Sequence, residues 1–281
     1  MQPVGPIHTL DLFPLERAAL LDLLSGFNDT DWNAETICDG WLVKDIAGHL
    51  LGDDLGLLSG RRDGFRSPGG QGMNFDDWDE LIGYINHQND TWVRAMRRLS
   101  PRVITDFLRN TGEQTQALFA SLDMNATGGT VNWVGPQPGP VWMELAREYT
   151  ERWTHQQHIR DAVNQPGLKD QHMFGPVLDA FVRALPRTYE NVSAPKGTTV
   201  VLTIIGKAGG SCLLRCDGDR WTLHIHETND PPPTSTVSFD QETAWRLFTK
   251  GIDPEEALDH AAISGDRDLG LHLLNTVSML V

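Results

Sequence analysis

The chain has 281 residues, 40% hydrophobic and 22% charged, which is ordinary globular usage and excludes wholesale disorder. Lys and Arg number 23 against 38 Asp and Glu, a formal charge of −15 that repels nucleic-acid phosphates and anionic membranes. The densest basic spots, Arg61-Arg62 and Arg97-Arg98, form no patch, so neither a nucleic acid nor a membrane is an expected partner.

Three cysteines, Cys38, Cys212 and Cys216, exclude a disulfide scaffold and a four-cysteine zinc site. The first six residues lack the basic and apolar regions of a signal peptide. No stretch approaches the roughly 20 apolar residues of a membrane span. The expectation is a soluble, reduced, cytoplasmic protein. At about 150 residues per domain, the length suggests two domains.

In chain order, Leu15 to Leu24 carries apolar residues at helical spacing, with Pro14 suited to a first turn. A second helix is predicted over Val43 to Leu58, stopping near Gly60, and the Ser67 to Gly72 run reads as a loop. Phe75 to Leu99 is a long amphipathic segment ended by Ser100-Pro101, and Val103 to Leu122 follows as another helix. Gly128-Gly129 and Pro136 to Pro140 read as loop, and Val141 to Val163 is helical again. Four long helices with connecting loops predict an up-down four-helix bundle over residues 1–165.

The pattern changes after Gln165-Pro166-Gly167. A helix near Val177 to Leu185 precedes four β-branched segments, Thr198 to Ile205, Ser211 to Cys216, Trp221 to His226 and Thr234 to Phe239. Turns between them predict short antiparallel strands. Closing helices, the last from Arg267 to about Leu280, complete a smaller α+β domain over residues 166–281. The fold class is therefore α+β. Ser264 or Asp266 is placed to cap the last helix.

Some polar residues sit where apolar ones belong. His49 and Asp53, four apart, share the stripe of Ile46, Leu50 and Leu57. Glu151, His155 and His158 fall at i, i+4 and i+7 on the last bundle helix, one turn after Glu148. Such groups in a bundle core are costly unless paired or metal-bound, and inward Glu and His are how bundles build metal sites. Two imidazoles and one carboxylate hold a divalent ion while leaving a position open for water or a substrate thiolate. The spacing equally fits an exposed Glu151–Arg152–His155 face with His49 as a hydrogen-bonded core histidine. His224 and His226 share a strand face turned to solvent. Cys212 and Cys216 read as buried structural thiols, since their spacing is not Cys-x-x-Cys.

The segment from Trp41 through Val43, Asp45 and His49 to Leu50 resembles the Trp-x-Val-x-Asp-x-x-x-His-Leu motif of the mycothiol-dependent maleylpyruvate isomerase-like family. This family belongs to the DinB-like four-helix-bundle superfamily. The Glu151-x-x-x-His155 helix is similar to the family's second motif. The stretches Gly218 to Leu223 and Val237 to Trp245 resemble its sterol-carrier-like C-terminal domain. The resemblance implies His49, Glu151 and His155 as metal ligands, zinc as the ion and mycothiol as the thiol cofactor or co-substrate.

In such a mechanism Asp53 and His158 are candidates to support the ligands or to act as general acid and base, roles that the resemblance itself does not fix. The family's catalytic Gly-Arg pair is unmatched; Lys250, with Arg246 nearby, stands in that stretch and would steer substrate carboxylates. The implied function is metal-dependent thiol activation for isomerisation of, or transfer to, a small electrophile, with substrate recognition shifted away from maleylpyruvate. A cleft between the two domains is expected to enclose the metal. A ligand-binding protein with a structural metal and a metal-dependent hydrolase are the alternatives.

Overall fold

The computed structural model describes residues 2–65 and 78–278. The chain divides into two compact units: one holds residues 10–122 and 151–167, the other residues 1–9, 123–150 and 168–281. The chain passes between the units at 9/10, 122/123, 150/151 and 167/168. The segments 1–9 and 123–150 group with the C-terminal residues, so the units are discontinuous in sequence.

The helical unit is built from α1 (Phe13–Ser25), α2 (Asp29–Trp32), α3 (Val43–Leu57), α4 (Trp78–Met96) and α5 (Pro101–Ala120). The C-terminal half of a long helix completes it; that helix is numbered α6 below. Pro14 occupies the first turn of α1, and Ser100 caps α5 through the Val103 N–H with Pro101 opening the helix. The core joins Leu20 and Leu24 of α1, Ile46, Leu50 and Leu51 of α3, Ile104 and Leu108 of α5, and Ile159. α4 adds Trp92 and Met96 from its last turns. The short first helix, outside the four predicted long ones, is thus a full core member. α3 continues into a turn of π-helix over Leu58–Arg62. The predicted Ser67 to Gly72 loop and the Phe75 start of the third helix lie outside the described residues.

In the other unit, β1 (Thr127–Thr130) and β2 (Pro138–Pro140) pair as an antiparallel ribbon where loop was expected. There follow α6 (Val141–Ala162), α7 (Gln171–Val182), α8 (Leu185–Thr188), β3 (Thr199–Ile205), β4 (Gly210–Cys216), β5 (Trp221–Ile225), β6 (Ser235–Asp240), α9 (Gln241–Phe248), α10 (Pro254–Asp259), β7 (Ala262–Gly265) and α11 (Arg267–Leu273). The five-stranded sheet has the order β5-β4-β3-β6-β7. All its neighbours are antiparallel except β3 and β6, which run parallel, and this corrects the all-antiparallel expectation. The parallel pair needs a long connection, here the β4–β5 hairpin and the Pro-rich turn. β3 is the central strand and its Val200, Val201, Leu202 and Ile204 are buried. Phe181 of α7 and Phe239 of β6 both meet Phe248 of α9. Asp266 caps α11 as predicted, whereas β7 just before it was not foreseen.

Candidate metal centre

α3 is held at its start by Asp45. Its carboxylate accepts the Leu42 N–H at 3.0 Å and two Arg97 N–H groups at 2.9 and 2.8 Å. His49 follows one turn later on the same face. Gly52 lets the Trp92 indole approach α3 closely, because an added Cβ there would overlap the ring, and Trp92 donates to the Gly48 carbonyl at 2.8 Å. On α6, Glu151, His155 and His158 lie along one flank. The flank beside it is polar as well: Arg152 donates to Asp54 at 3.1 Å and Gln156 to Glu16 at 2.6 Å.

These helices bring the predicted residues together. His49 Nε2 lies 3.4 Å from Glu151 Oε1 and 3.3 Å from Asp53 Oδ2, while His155 Nε2 lies 3.0 Å from Glu151 Oε1. The imidazoles of His49 and His155 stand edge-on at 4.7 Å, with Trp41 against the His49 ring at 5.1 Å. Ligand atoms of His49, Glu151 and His155 all lie within 4.8 Å of one another. Around tetrahedral zinc, with bonds of about 2.0–2.2 Å, neighbouring nitrogen and oxygen ligand atoms stand about 3.4 Å apart. The donor set therefore fits a divalent ion. Asp53 Oδ2 and His155 Nδ1 are buried without a hydrogen-bond partner, as expected of groups arranged around a cation. The histidines are buried, whereas the Glu151 and Asp53 side chains keep 32% and 28% of their exposure.

The charges are strongly coupled. Burial works against the charge on Glu151, yet His155 and His49 hold its carboxyl well below the usual carboxylate range. Burial likewise disfavours the imidazolium of His155, but Glu151 and then Cys38 outweigh it and push the pKa to about 10. Burial, added to the negative charge of Glu151, pushes Asp53 up to about 6 against the pull of His49.

Two members of this polar region were not singled out by pattern. Cys38 precedes α3 in a turn where Thr36 Oγ1 accepts the Cys38 N–H and donates to the Trp41 carbonyl, and Gly40 supplies the left-handed φ of 74°. Its Sγ hydrogen-bonds His158 Nδ1 at 3.4 Å. Asp54, beside Asp53, is fully buried and takes Arg17 at 2.8 and 3.1 Å, Arg152 at 3.1 Å and Thr111 at 2.6 Å. Arg152 is itself 2% exposed, so the alternative of an exposed Glu151–Arg152–His155 face does not hold. Glu148 pairs with Arg147 in the N-terminal half of α6.

Arg246 and Lys250 belong to the other unit. Arg246 lies over the Trp245 ring at 4.5 Å. Lys250 ends α9 in a left-handed conformation, φ 59°, with its N–H on Leu247 O and the Gly251 N–H on Arg246 O. Glycine usually fills that position, and a side chain there costs about 1–2 kcal/mol. His224 is half-buried on Thr222, and His226 pairs with Asp230 at 3.3 Å. Cys212 and Cys216 are buried free thiols, and burial pushes Cys212 up to about 12.

A sequence profile for the mycothiol maleylpyruvate isomerase N-terminal domain matches residues 13–160, just over half of the chain. The chain belongs to that family. Its fold is similar to that of a crystallised histidine-to-alanine variant of the mycothiol-dependent maleylpyruvate isomerase, with a TM-score of 0.52 at 11% identity over 91% of both chains. The unsubstituted isomerase aligns with a TM-score of 0.49 at 12% identity, again over 91% of both. At these identities the likeness is one of fold. No curated protein matches the chain. Among the described residues, no helix is long and apolar enough to cross a membrane.

Proposed function

We propose that the chain is a metal-dependent enzyme that activates a low-molecular-weight thiol, mycothiol by family membership, for isomerisation of, or transfer to, a small electrophile. The observation that carries this reading is the convergence of His49, Glu151 and His155 ligand atoms within 4.8 Å beside partly exposed carboxylates. Zinc is the proposed ion. Bound there, it would lower the pKa of a thiol enough to hold it as thiolate at neutral pH.

The residues of the chain divide the remaining work. His49, Glu151 and His155 would hold the ion. Asp53, with its pKa near neutrality, takes the thiol proton at Oδ2 and returns it to the product. His158, whose ring stands 5.4 Å from that of His155 centroid to centroid, is the second acid–base candidate. Lys250 and Arg246 are the proposed anchors for a substrate carboxylate.

A second reading has one observation in its favour. Asp53 Oδ2 stands 3.3 Å from His49 Nε2, close enough to supply a fourth ligand, and a closed four-ligand site would make the metal structural.

Turnover of maleylpyruvate and of a panel of electrophiles, each with and without mycothiol, separates these readings. The expected result is thiol-dependent turnover of some electrophile other than maleylpyruvate, with weak isomerisation of maleylpyruvate itself because the Gly-Arg pair is unmatched. Equal rates with and without thiol would point to the metal-dependent hydrolase instead. No turnover of any electrophile by fully metal-loaded protein would favour the structural site.

A further inference from the structure

A second group of potential ligands adjoins the first. Cys38 Sγ lies within 4.8 Å of a ring nitrogen of both His155 and His158. The Cys38–His158 separation is 3.4 Å, near the roughly 3.6 Å expected between sulfur and nitrogen ligands sharing one tetrahedral zinc. Both imidazoles are buried, and their rings stand edge-on at 5.4 Å. His155 spends Nε2 on Glu151, while its Nδ1 is buried with no hydrogen-bond partner. An imidazole carries two ring nitrogens, so with Nε2–H donated to Glu151 the Nδ1 lone pair can bind an ion, and ions held at both nitrogens require the ring to release both protons as an imidazolate.

We propose that Cys38, His155 and His158 form a second cation position, sharing His155 with the His49–Glu151 side, for a borderline-soft divalent ion such as zinc. One thiolate and two imidazoles are the ligand types such an ion prefers over magnesium or calcium. The backbone around Cys38 is set accordingly, since the Thr36 and Trp41 hydrogen bonds fix the turn that aims Sγ at the histidines. As the ion enters, the Cys38 thiol and the imidazoles give up whatever protons they hold, and no electron transfer is involved. Three protein ligands leave a position for water or an external ligand. The assignment stands whether or not the His49–Glu151 side binds metal, so the two are tested apart.

The test uses the metal-stripped full chain titrated with Co2+, a visible substitute for zinc. Sulfur coordination gives an intense near-ultraviolet charge-transfer band that imidazole and carboxylate ligands do not. The wild-type protein, with no added thiol, is expected to show the band and to take up two ions. Cys38→Ser should lose the band and one ion, and His158→Gln should lose the same ion, which guards against misfolding of either variant alone. His49→Ala should keep the band. Full cobalt loading without the band would overturn the proposal. So would an unchanged band in Cys38→Ser, which points to Cys212 or Cys216, or loss of the band in His49→Ala, which places Cys38 on the first ion.

Discussion

Asp54→Ala is expected to destabilise the helical unit by about 3–5 kcal/mol, the usual consequence of removing one partner from a buried ion pair. Asp54 is fully buried and serves Arg17, Arg152 and Thr111 at once, so its loss strands two guanidiniums in a place where water cannot replace the carboxylate. Burial opposes the charge on Asp54 and is the largest influence on it. The two arginines and Thr111 nevertheless hold its pKa below the ordinary carboxylate value. A depressed carboxylate stabilises the fold above its unfolded pKa of about 4, and that contribution disappears as pH falls through the lower folded value. Urea unfolding of the wild type should therefore show a stability loss below about pH 4 that Asp54→Asn lacks. A stability change within about 0.5 kcal/mol, the range of ordinary surface substitutions, would mean the network contributes nothing.

The second large effect concerns the ion. His49→Ala removes one of three proposed ligands and leaves Glu151 and His155 with no replacement nitrogen. Loss of an outer hydrogen-bond partner alone costs roughly 10–100-fold in metal affinity, and loss of a ligand should cost more. Competition against a chelator of known affinity measures this in wild-type and variant proteins. Because His49 lies on α3 and Glu151 and His155 on α6, the ion would join two helices of the bundle. In a Cys38→Ser background, which removes the second cation position, zinc should therefore raise the thermal midpoint, and adding His49→Ala should abolish that rise. Equal affinity in both proteins would remove His49 from the site.

Much of the candidate site was legible because a helix puts residues four apart on one face. His49 with Asp53, and Glu151 with His155, stood out as polar members of apolar stripes, and the structure places those stripes opposite each other. Periodicity names a face but not its partner, and this explains what was missed. Asp53 and Asp54 are neighbours of one residue type, yet one meets the histidines and the other is sealed among arginines. Nothing local distinguishes them, since the arginines come from α1 and α6. Cys38 sits in a turn, where no periodicity marks a direction. Strands β3 to β6 were read nearly to the residue, whereas β1, β2 and β7 were not read as strands. The parallel pairing of β3 with β6 was not read either, because it joins segments separated by a whole hairpin. The grouping of residues 1–9 with the sheet unit depends on single contacts, such as the Ile225 N–H on the Gln2 carbonyl and Arg183 on the Gly5 carbonyl, that no local pattern encodes.

The central claim is that a thiol binds as thiolate on an ion held by His49, Glu151 and His155. Its most direct test is addition of mycothiol to cobalt-loaded protein in a Cys38→Ser background, where any new sulfur-to-cobalt band comes from the added thiol. The account predicts that such a band grows to saturation with one thiol per chain, and that it is absent when His49→Ala is added. Thiol binding with no change in the cobalt spectrum, or the same band in the His49→Ala protein, would contradict it.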